Sequence, residues 1–275
     1  MRFEGKSALV TGASNGIGAA IAERLAAEGA SLCLLAAPQD EAHLTEVAEK
    51  LRAGSAGQVV TVTGDVGDAE TADRALAAAC QAFGGVDLLA SNAGIGIWEN
   101  ILDTPIEEFD RVMRVNTRGQ YAVTSAVARH MSRRGGGAMV LTASTASLFG
   151  EEGQIIYNTS KGAVMALARS LAVDLARYGI RVNALAPGWV RTRATAAEVD
   201  DVAIWSKHRT RIPLDRPGEP AELAAVACFL LSDDASYMTG SVVMCDGGLT
   251  AGYRASDWDA VERPLPPRTS GLSGR

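Results

Sequence analysis

Short apolar runs alternate with helical stretches along most of this 275-residue chain. A parallel strand that is buried on both faces has a continuous apolar sequence, and the helix that follows it crosses back over the sheet. The alternation therefore predicts an α/β fold, a doubly wound parallel sheet of seven strands with helices on both faces. The predicted strands occupy residues 7–10, 32–35, 59–62, 86–90, 138–142, 181–185 and 242–244.

Residues 1–252 are predicted to form one domain, because 47% of the chain is hydrophobic and no repeat or linker interrupts it. The composition changes only after Gly252, where several prolines are followed by serine and glycine. Residues 253–275 are therefore predicted to be a loosely ordered C-terminal extension.

Charge and residue spacing exclude several function classes. The net charge of −6 and the scattered Lys and Arg residues argue against a nucleic-acid partner, which requires a basic patch. No apolar stretch reaches the ~20 residues of a membrane-spanning helix, and the first strand begins too near Met1 for a signal peptide. The four cysteines and three histidines lack metal-ligand spacing, so no metal site is predicted. These observations favour a cytoplasmic protein.

A glycine-rich turn joins the first strand to an apolar helical repeat. Gly12 permits the tight turn, Gly16 lets a pyrophosphate approach the backbone, and Gly18 lets helix and strand pack closely. The spacing Gly-x-x-x-Gly-x-Gly differs from the Gly-x-Gly-x-x-Gly dinucleotide pattern, so a purely structural turn is the competing interpretation. The turn comprises Gly12, Ala13, Ser14, Asn15, Gly16, Ile17 and Gly18.

Tyr157 and Lys161 stand four residues apart in a helical segment and so share one face, with Ser144 upstream on the loop after a strand. A tyrosine hydroxyl is a poor base at neutral pH, but a nearby ammonium stabilises the phenolate. We expect Lys161 to lower the pKa of Tyr157 and allow it to move a proton. Taken alone, the spacing is also that of an ordinary aromatic and a solvated lysine.

Together these motifs resemble the short-chain dehydrogenase/reductase family, in its short single-domain branch with a Rossmann-type fold. The resemblance covers residues 5–248 and adds Asn92-Ala93-Gly94, Asn116 and the segment from Pro187 to Thr192, in the family's order. It implies that the glycine turn binds a nicotinamide dinucleotide. The other cofactor-binding residues that it implies are Asp65 and Val66 at the adenine, Asn92, Ala93 and Gly94 at the ribose, Tyr157 and Lys161, and Pro187, Gly188, Val190 and Thr192 at the carboxamide.

The resemblance also implies a catalytic set of Asn116, Ser144, Tyr157 and Lys161. Ser144 would bind the substrate oxygen, Tyr157 would transfer the proton, and Lys161 would hold the nicotinamide ribose. Asn116 would hold a water that links Lys161 to solvent. Because Asn is a poor residue for a helix interior, we expect a local kink at Asn116.

The cofactor predicted from these residues is NAD rather than NADP. By the resemblance, the family's acidic position falls on Ala36 and its usual basic position on Ala37. Asn15 is neutral as well, so a 2′-phosphate would lack a cationic partner.

The predicted activity is hydride transfer between the nicotinamide cofactor and a secondary alcohol or ketone, with a small polyol or sugar as the favoured substrate. An NADPH-dependent 3-oxoacyl thioester reductase and a non-catalytic dinucleotide-binding sensor are the alternatives. The residues expected to form the substrate walls are Trp98, Phe149, Glu151, Glu152, Gln154, Trp189 and Trp205. Residues 193–212 are expected to form a helical lid.

Assembly into a homotetramer, or otherwise a homodimer, is predicted from two helical stretches. Residues 105–134 and 154–177 carry more apolar surface than one sheet face can cover. Ala168 and Ala172 are expected to lie in the interface.

Overall fold

Seven parallel strands form one sheet in the order β3-β2-β1-β4-β5-β6-β7, in a computed structural model that describes residues 1–54 and 57–252. The fold class is the predicted one. The predicted extension, residues 253–275, lies outside the described residues. The strands are β1 (Ser7–Thr11), β2 (Ser31–Ala36), β3 (Val59–Thr63), β4 (Leu88–Ser91), β5 (Gly137–Thr142), β6 (Ile180–Pro187) and β7 (Val242–Cys245).

The predicted start of β4 is wrong by two residues. The Val86 amide donates to the His130 ring nitrogen at 3.1 Å rather than to a neighbouring strand. The Asp87 carboxylate accepts hydrogen bonds from both the amide and the hydroxyl of Ser7, at 2.8 and 2.9 Å. These side-chain contacts, which hydropathy does not reveal, hold Val86 and Asp87 just before the strand begins at Leu88.

The described part of the chain contains nine α-helices. They are α1 (Gly16–Ala27), α2 (Glu41–Gly54), α3 (Ala69–Phe83), α4 (Ile106–Met113), α5 (Gln120–Met131), α6 (Ile155–Leu175), α7 (Ala196–Asp200), α8 (Val202–Arg209) and α9 (Pro220–Leu231). Within residues 1–54 and 57–252, none of the helices combines the length and apolarity needed to cross a membrane.

The two faces of the sheet carry separate hydrophobic clusters. Leu34 of β2 packs in the cluster that contains Leu25 of α1. Its neighbour Leu35 points to the other face and packs in the cluster that contains Val127 of α5. Since successive residues of a strand point to opposite faces, both faces are buried, which explains why the strands read as continuous apolar runs.

The helical hydrogen bonding is interrupted between α4 and α5, where Arg114–Gly119 form a π-helical segment. The helix is therefore irregular at Asn116, where the sequence predicts a kink. A π-helical segment widens the turn and changes the direction of the side chains in it. Asn116 is thereby fully buried instead of facing solvent.

Small residues of helix α6 face the sheet. Ala168 and Ala172 are buried in the same cluster as Val182 of β6. The expectation that these two alanines form an intersubunit contact is therefore wrong, because the chain's own sheet already covers them. Val173, next along the helix, is 80% exposed.

Candidate active site

A cleft of about 400 Å³ follows the carboxyl ends of the strands, where the strand order reverses between β1 and β4. Ligands of open α/β sheets bind at such a reversal. Apart from Gly18 and Asn116, every residue of the predicted catalytic and cofactor-binding sets lines this cleft. Gly18 and Asn116 lie directly behind its wall. Of the predicted substrate walls, Phe149, Glu152 and Trp205 are not among the lining residues.

The glycine turn has the backbone that a dinucleotide requires. Gly12 and Gly16 have φ of +64° and +54°, a left-handed conformation that favours glycine. A Cβ on Gly18 would lie 2.1 Å from the carbonyl oxygen of Gly12. The turn therefore leaves bare backbone at the amino end of α1, where a pyrophosphate fits. Ser14, Asn15 and Ile17 line the cleft beside it.

Thr11 joins the glycine turn to the Asn92-Ala93-Gly94 segment. Its hydroxyl oxygen accepts hydrogen bonds from the amides of Asn92 and Ala93, at 2.9 and 3.0 Å. The Asn92 side-chain oxygen in turn accepts from the Thr142 hydroxyl at 3.2 Å. The ends of β1, β4 and β5 are thus linked side by side under the cleft.

The segment after β6 folds over the glycine turn. Pro187 ends β6, and the Gly188 amide donates to the carbonyl of Cys245 at 3.2 Å. The Thr192 methyl group lies 3.2 Å from the position that a Cβ on Gly16 would take. Val190 is buried beside it, so this segment forms the wall opposite the turn.

Asp65 and Val66 line the cleft beyond β3. The Asp65 carboxylate accepts a hydrogen bond from the Gly67 amide at 2.7 Å and forms an ion pair with Arg114 at 2.5 Å. These contacts fix the loop at the end of the cleft predicted to hold the adenine.

Lys161 projects from α6 into the middle of the cleft and is 3% exposed. Its ammonium group donates a hydrogen bond to the carbonyl of Thr142 at 2.9 Å. Removal from water disfavours the charged form, so burial lowers the pKa of Lys161 to about 8. At neutral pH the side chain is still mostly protonated.

Tyr157 and Ser144, two of the predicted catalytic residues, line the same cleft. Burial raises the pKa of Tyr157, the charge of Glu151 raises it further, and a hydrogen bond with Ser144 opposes the rise. The expectation that the pKa of Tyr157 is lowered is thus wrong when only groups of the protein surround it. The Lys161 ammonium lies 5.7 Å from the ring centroid of Tyr157, too far to offset the loss of water from the hydroxyl.

Asn116 supports the site from behind. Its side-chain amide accepts a hydrogen bond from the Ile95 amide at 2.8 Å and donates to the Ile95 carbonyl at 2.9 Å. It also donates to the Ser160 hydroxyl at 3.0 Å. A Cβ on Gly94 would lie 3.3 Å from both the Asn116 side-chain oxygen and the Lys161 nitrogen. Asn116 therefore ties the Gly94 loop to α6.

Aromatic rings and carboxylates surround the substrate end. Trp98 and Trp189 stack with ring centroids 6.1 Å apart, and Trp189 also contacts Trp205 and His208, at 6.4 and 4.0 Å between centroids. Residues 193–212 contain the helices α7 and α8, as expected, and α8 carries Trp205 and His208 against Trp189. That this segment acts as a lid stays a prediction.

Two carboxyl groups line the same end of the cleft. Burial raises the pKa of Glu151, while Arg211 at 3.6 Å opposes that rise. One carboxyl oxygen of Glu198 is buried and has no hydrogen-bond partner among the described residues. Gln154 is also buried at the wall, whereas Glu152 is exposed and lies outside the lining.

Sequence reasoning missed Thr11, Ser160 and Glu198. The signal available for Thr11 was a hydroxyl ending an otherwise apolar strand. Ser160 sits directly before Lys161, but its contact with Asn116 spans 44 residues. Glu198 had no signal beyond its place in a charged segment, because only the packing of α7 turns it inward.

Comparison with known proteins identifies relatives that match most of the chain. A family model described as enoyl-(acyl carrier protein) reductase matches residues 12–250. Glucose 1-dehydrogenase from Gluconobacter oxydans is 39% identical over 250 residues, which are 90% of this chain and 93% of that protein. Versicolorin reductase 1 from Aspergillus parasiticus is 39% identical over 263 residues, covering 90% and 97% of the two chains.

A solved structure has the same fold. The crystal structure of a short-chain type dehydrogenase/reductase from Mycobacterium marinum superposes with a TM-score of 0.85 at 38% identity, covering 91% of this chain and 97% of that one. Since relatives with different named substrates are equally similar in sequence, identity alone does not decide the substrate.

Proposed function

Because this chain belongs to the short-chain dehydrogenase/reductase family, and is therefore an NAD(P)-dependent oxidoreductase acting on CH–OH groups, we propose that it interconverts a polyol or sugar and the corresponding carbonyl compound, with NAD as cofactor. The observation that carries the proposal is that Ser144, Tyr157 and Lys161 line the same cleft as the glycine turn. A nicotinamide dinucleotide supplies hydride transfer when bound.

The protein groups divide the remaining chemistry between them. The Ser144 hydroxyl binds the substrate oxygen and orients it toward Tyr157. The Tyr157 hydroxyl accepts the alcohol proton during oxidation and returns it during reduction. Lys161 holds a positive charge next to the Tyr157 ring, which stabilises the phenolate as it forms. Asn116 holds the Gly94 loop and α6 at a fixed position relative to each other, which keeps these groups aligned.

A polyhydroxylated substrate is favoured by the walls of the cleft. The Trp98 and Trp189 faces offer apolar surface to the C–H groups of a sugar ring, and Glu151 and Glu198 offer acceptors to its hydroxyl groups. The similarity to glucose 1-dehydrogenase supports the same substrate class.

A 3-oxoacyl thioester reductase is the second candidate, favoured by the reductase description of the matching family model. It ranks lower because carboxylates at the mouth of the cleft suit hydroxyl groups better than an acyl chain. A non-catalytic sensor ranks lowest, since it would not require Ser144, Tyr157 and Lys161 together.

NAD is proposed as the preferred cofactor. Asn15, Ala36 and Ala37 line the adenosine end of the cleft and supply no positive charge. Burying a 2′-phosphate there would leave it without a charged hydrogen-bond donor from these three residues.

We further propose a homotetramer, or otherwise a homodimer. Ile106 on α4, Tyr121 on α5 and Val173 on α6 are large apolar residues with 64%, 57% and 80% exposure. Apolar side chains on neighbouring helices favour a self-complementary contact with another copy of the chain.

Tyr157→Phe is expected to lower kcat by about 10²- to 10⁴-fold, because the proton-transferring hydroxyl is lost while the ring remains. The change in kcat is measured by turnover of NAD with a panel of sugars, polyols and secondary alcohols, and of the reduced cofactor with ketones. The wild-type activity should be highest on a polyol or sugar. Cofactor affinity, measured by calorimetry, should stay within about twofold. A variant with wild-type kcat would exclude Tyr157 as the proton donor and acceptor.

Glu151→Gln is expected to shift the alkaline rise of the oxidation rate to lower pH. The Glu151 charge raises the pKa of Tyr157, so its removal lets Tyr157 accept a proton at lower pH. The matched control is Glu152→Gln, which removes the same charge from an exposed neighbour outside the cleft. Profiles of kcat against pH test the difference, and equal shifts in both variants would contradict it.

Val173→Glu is expected to lower the assembled mass, since a charge would enter the proposed contact. Light scattering at micromolar concentration measures the mass. Val202→Glu, at an 83% exposed position on α8, is the control and should leave the mass unchanged. A wild-type monomer would contradict the proposed assembly.

A further inference from the structure

An ion pair bridges the two walls of the cleft at its adenosine end. Arg193 follows Thr192 in the segment after β6, and its guanidinium donates a hydrogen bond to the Asp40 carboxylate at 2.5 Å. It also lies 3.4 Å from the ring nitrogen of His43. The Asp40 side chain is 19% exposed and that of Arg193 is 51% exposed. We call this contact the Asp40–Arg193 pair.

Asp40 is held beside the end of β2 by the local backbone. Residues Pro38–Asp40 form a single 3-10 turn, and the Asp40 amide donates to the carbonyl of Ala37 at 2.9 Å. The turn keeps Asp40 close to Ala37 and to Ala36, the last residue of β2. Ala36, Ala37, Gln39 and Asp40 all line the cleft.

We propose that Asp40, fixed by Arg193, is the residue that selects a ribose 2′-hydroxyl over a 2′-phosphate. A carboxylate accepts a hydrogen bond from a hydroxyl group, whereas it repels a phosphate. Asp40 thereby supplies the carboxylate for the 2′-hydroxyl that Ala36 and Ala37 lack. The proposal rests on the NAD preference stated above.

Arg193 has two alternative partners, the Asp40 carboxylate and a cofactor phosphate. Paired with Asp40, its charge is neutralised and it is not available to a phosphate. Without Asp40 it becomes a free guanidinium within reach of the same end of the cleft, and guanidinium groups bind phosphate with two parallel hydrogen bonds. The preference for NAD therefore depends on the Asp40 carboxylate as well as on the lack of positive charge at Asn15, Ala36 and Ala37.

Calorimetric titration of NAD and NADP into four full-length variants tests the proposal without any substrate. Asp40→Ala is expected to bind NADP at least tenfold more tightly than wild type and NAD about threefold more weakly. Asp40→Ala combined with Arg193→Ala should lose that NADP gain. Asp40→Asn, which keeps the shape of the turn, should change NADP affinity in the same direction as Asp40→Ala.

The matched control is Glu41→Ala. Glu41 follows Asp40 directly and is the first residue of α2, so its removal makes the same change in charge near the amino end of that helix. Its affinity for both cofactors should stay within twofold of wild type. An NADP gain in Glu41→Ala equal to that in Asp40→Ala would overturn the proposal, because net charge alone would then explain it.

Two further results separate this inference from the proposed cofactor preference. A wild-type protein that prefers NAD, with equal changes for both cofactors in Asp40→Ala, would overturn the inference and leave the preference standing. A wild-type protein that binds NADP tenfold better would overturn both. Retention of the NADP gain in the double variant would exclude Arg193 as the phosphate partner.

Discussion

A single buried ammonium group constrains the arrangement of the active site. Lys161 is almost fully removed from water, and its nitrogen donates to the main-chain oxygen of Thr142 at the end of β5. Burying a charge is costly, and here it lowers the pKa of Lys161 to about 8. The unfolded pKa of about 10.5 is higher, so this group disfavours the folded state below pH 8, and the penalty fades as the pH rises to about 10.5.

The surrounding structure keeps this group in place through contacts that do not belong to one element. The π-helical segment turns Asn116 inward, where it binds the Ile95 backbone and Ser160, the residue before Lys161. Thr11 joins the ends of β1 and β4 under the cleft. Contacts between residues far apart in sequence thus position the proposed catalytic residues, so the ends of β1 and β4 must meet closely.

The sequence predicted the features that depend on interactions between residues close together in the chain. The strands, the glycine turn and the helix irregularity at Asn116 follow from hydropathy, backbone freedom and the poor fit of Asn in a helix. Features set by distant packing were missed or wrong: Val86 is held by His130, Ala168 is covered by the sheet, and the burial of Tyr157 raises its pKa. The Asp40–Arg193 pair joins residues 153 positions apart, which no periodicity can show.

Nuclear magnetic resonance titration of the Lys161 side chain tests the central claim most directly. The chain has four lysines, Lys6, Lys50, Lys161 and Lys207, so ¹³C- and ¹⁵N-labelled lysine gives few resonances, and the one missing in Lys161→Met identifies Lys161. We predict that this resonance titrates with a pKa of about 8. A titration near the ordinary lysine value of about 10.5 would contradict the account, because the ammonium would then be solvated or paired with an anion.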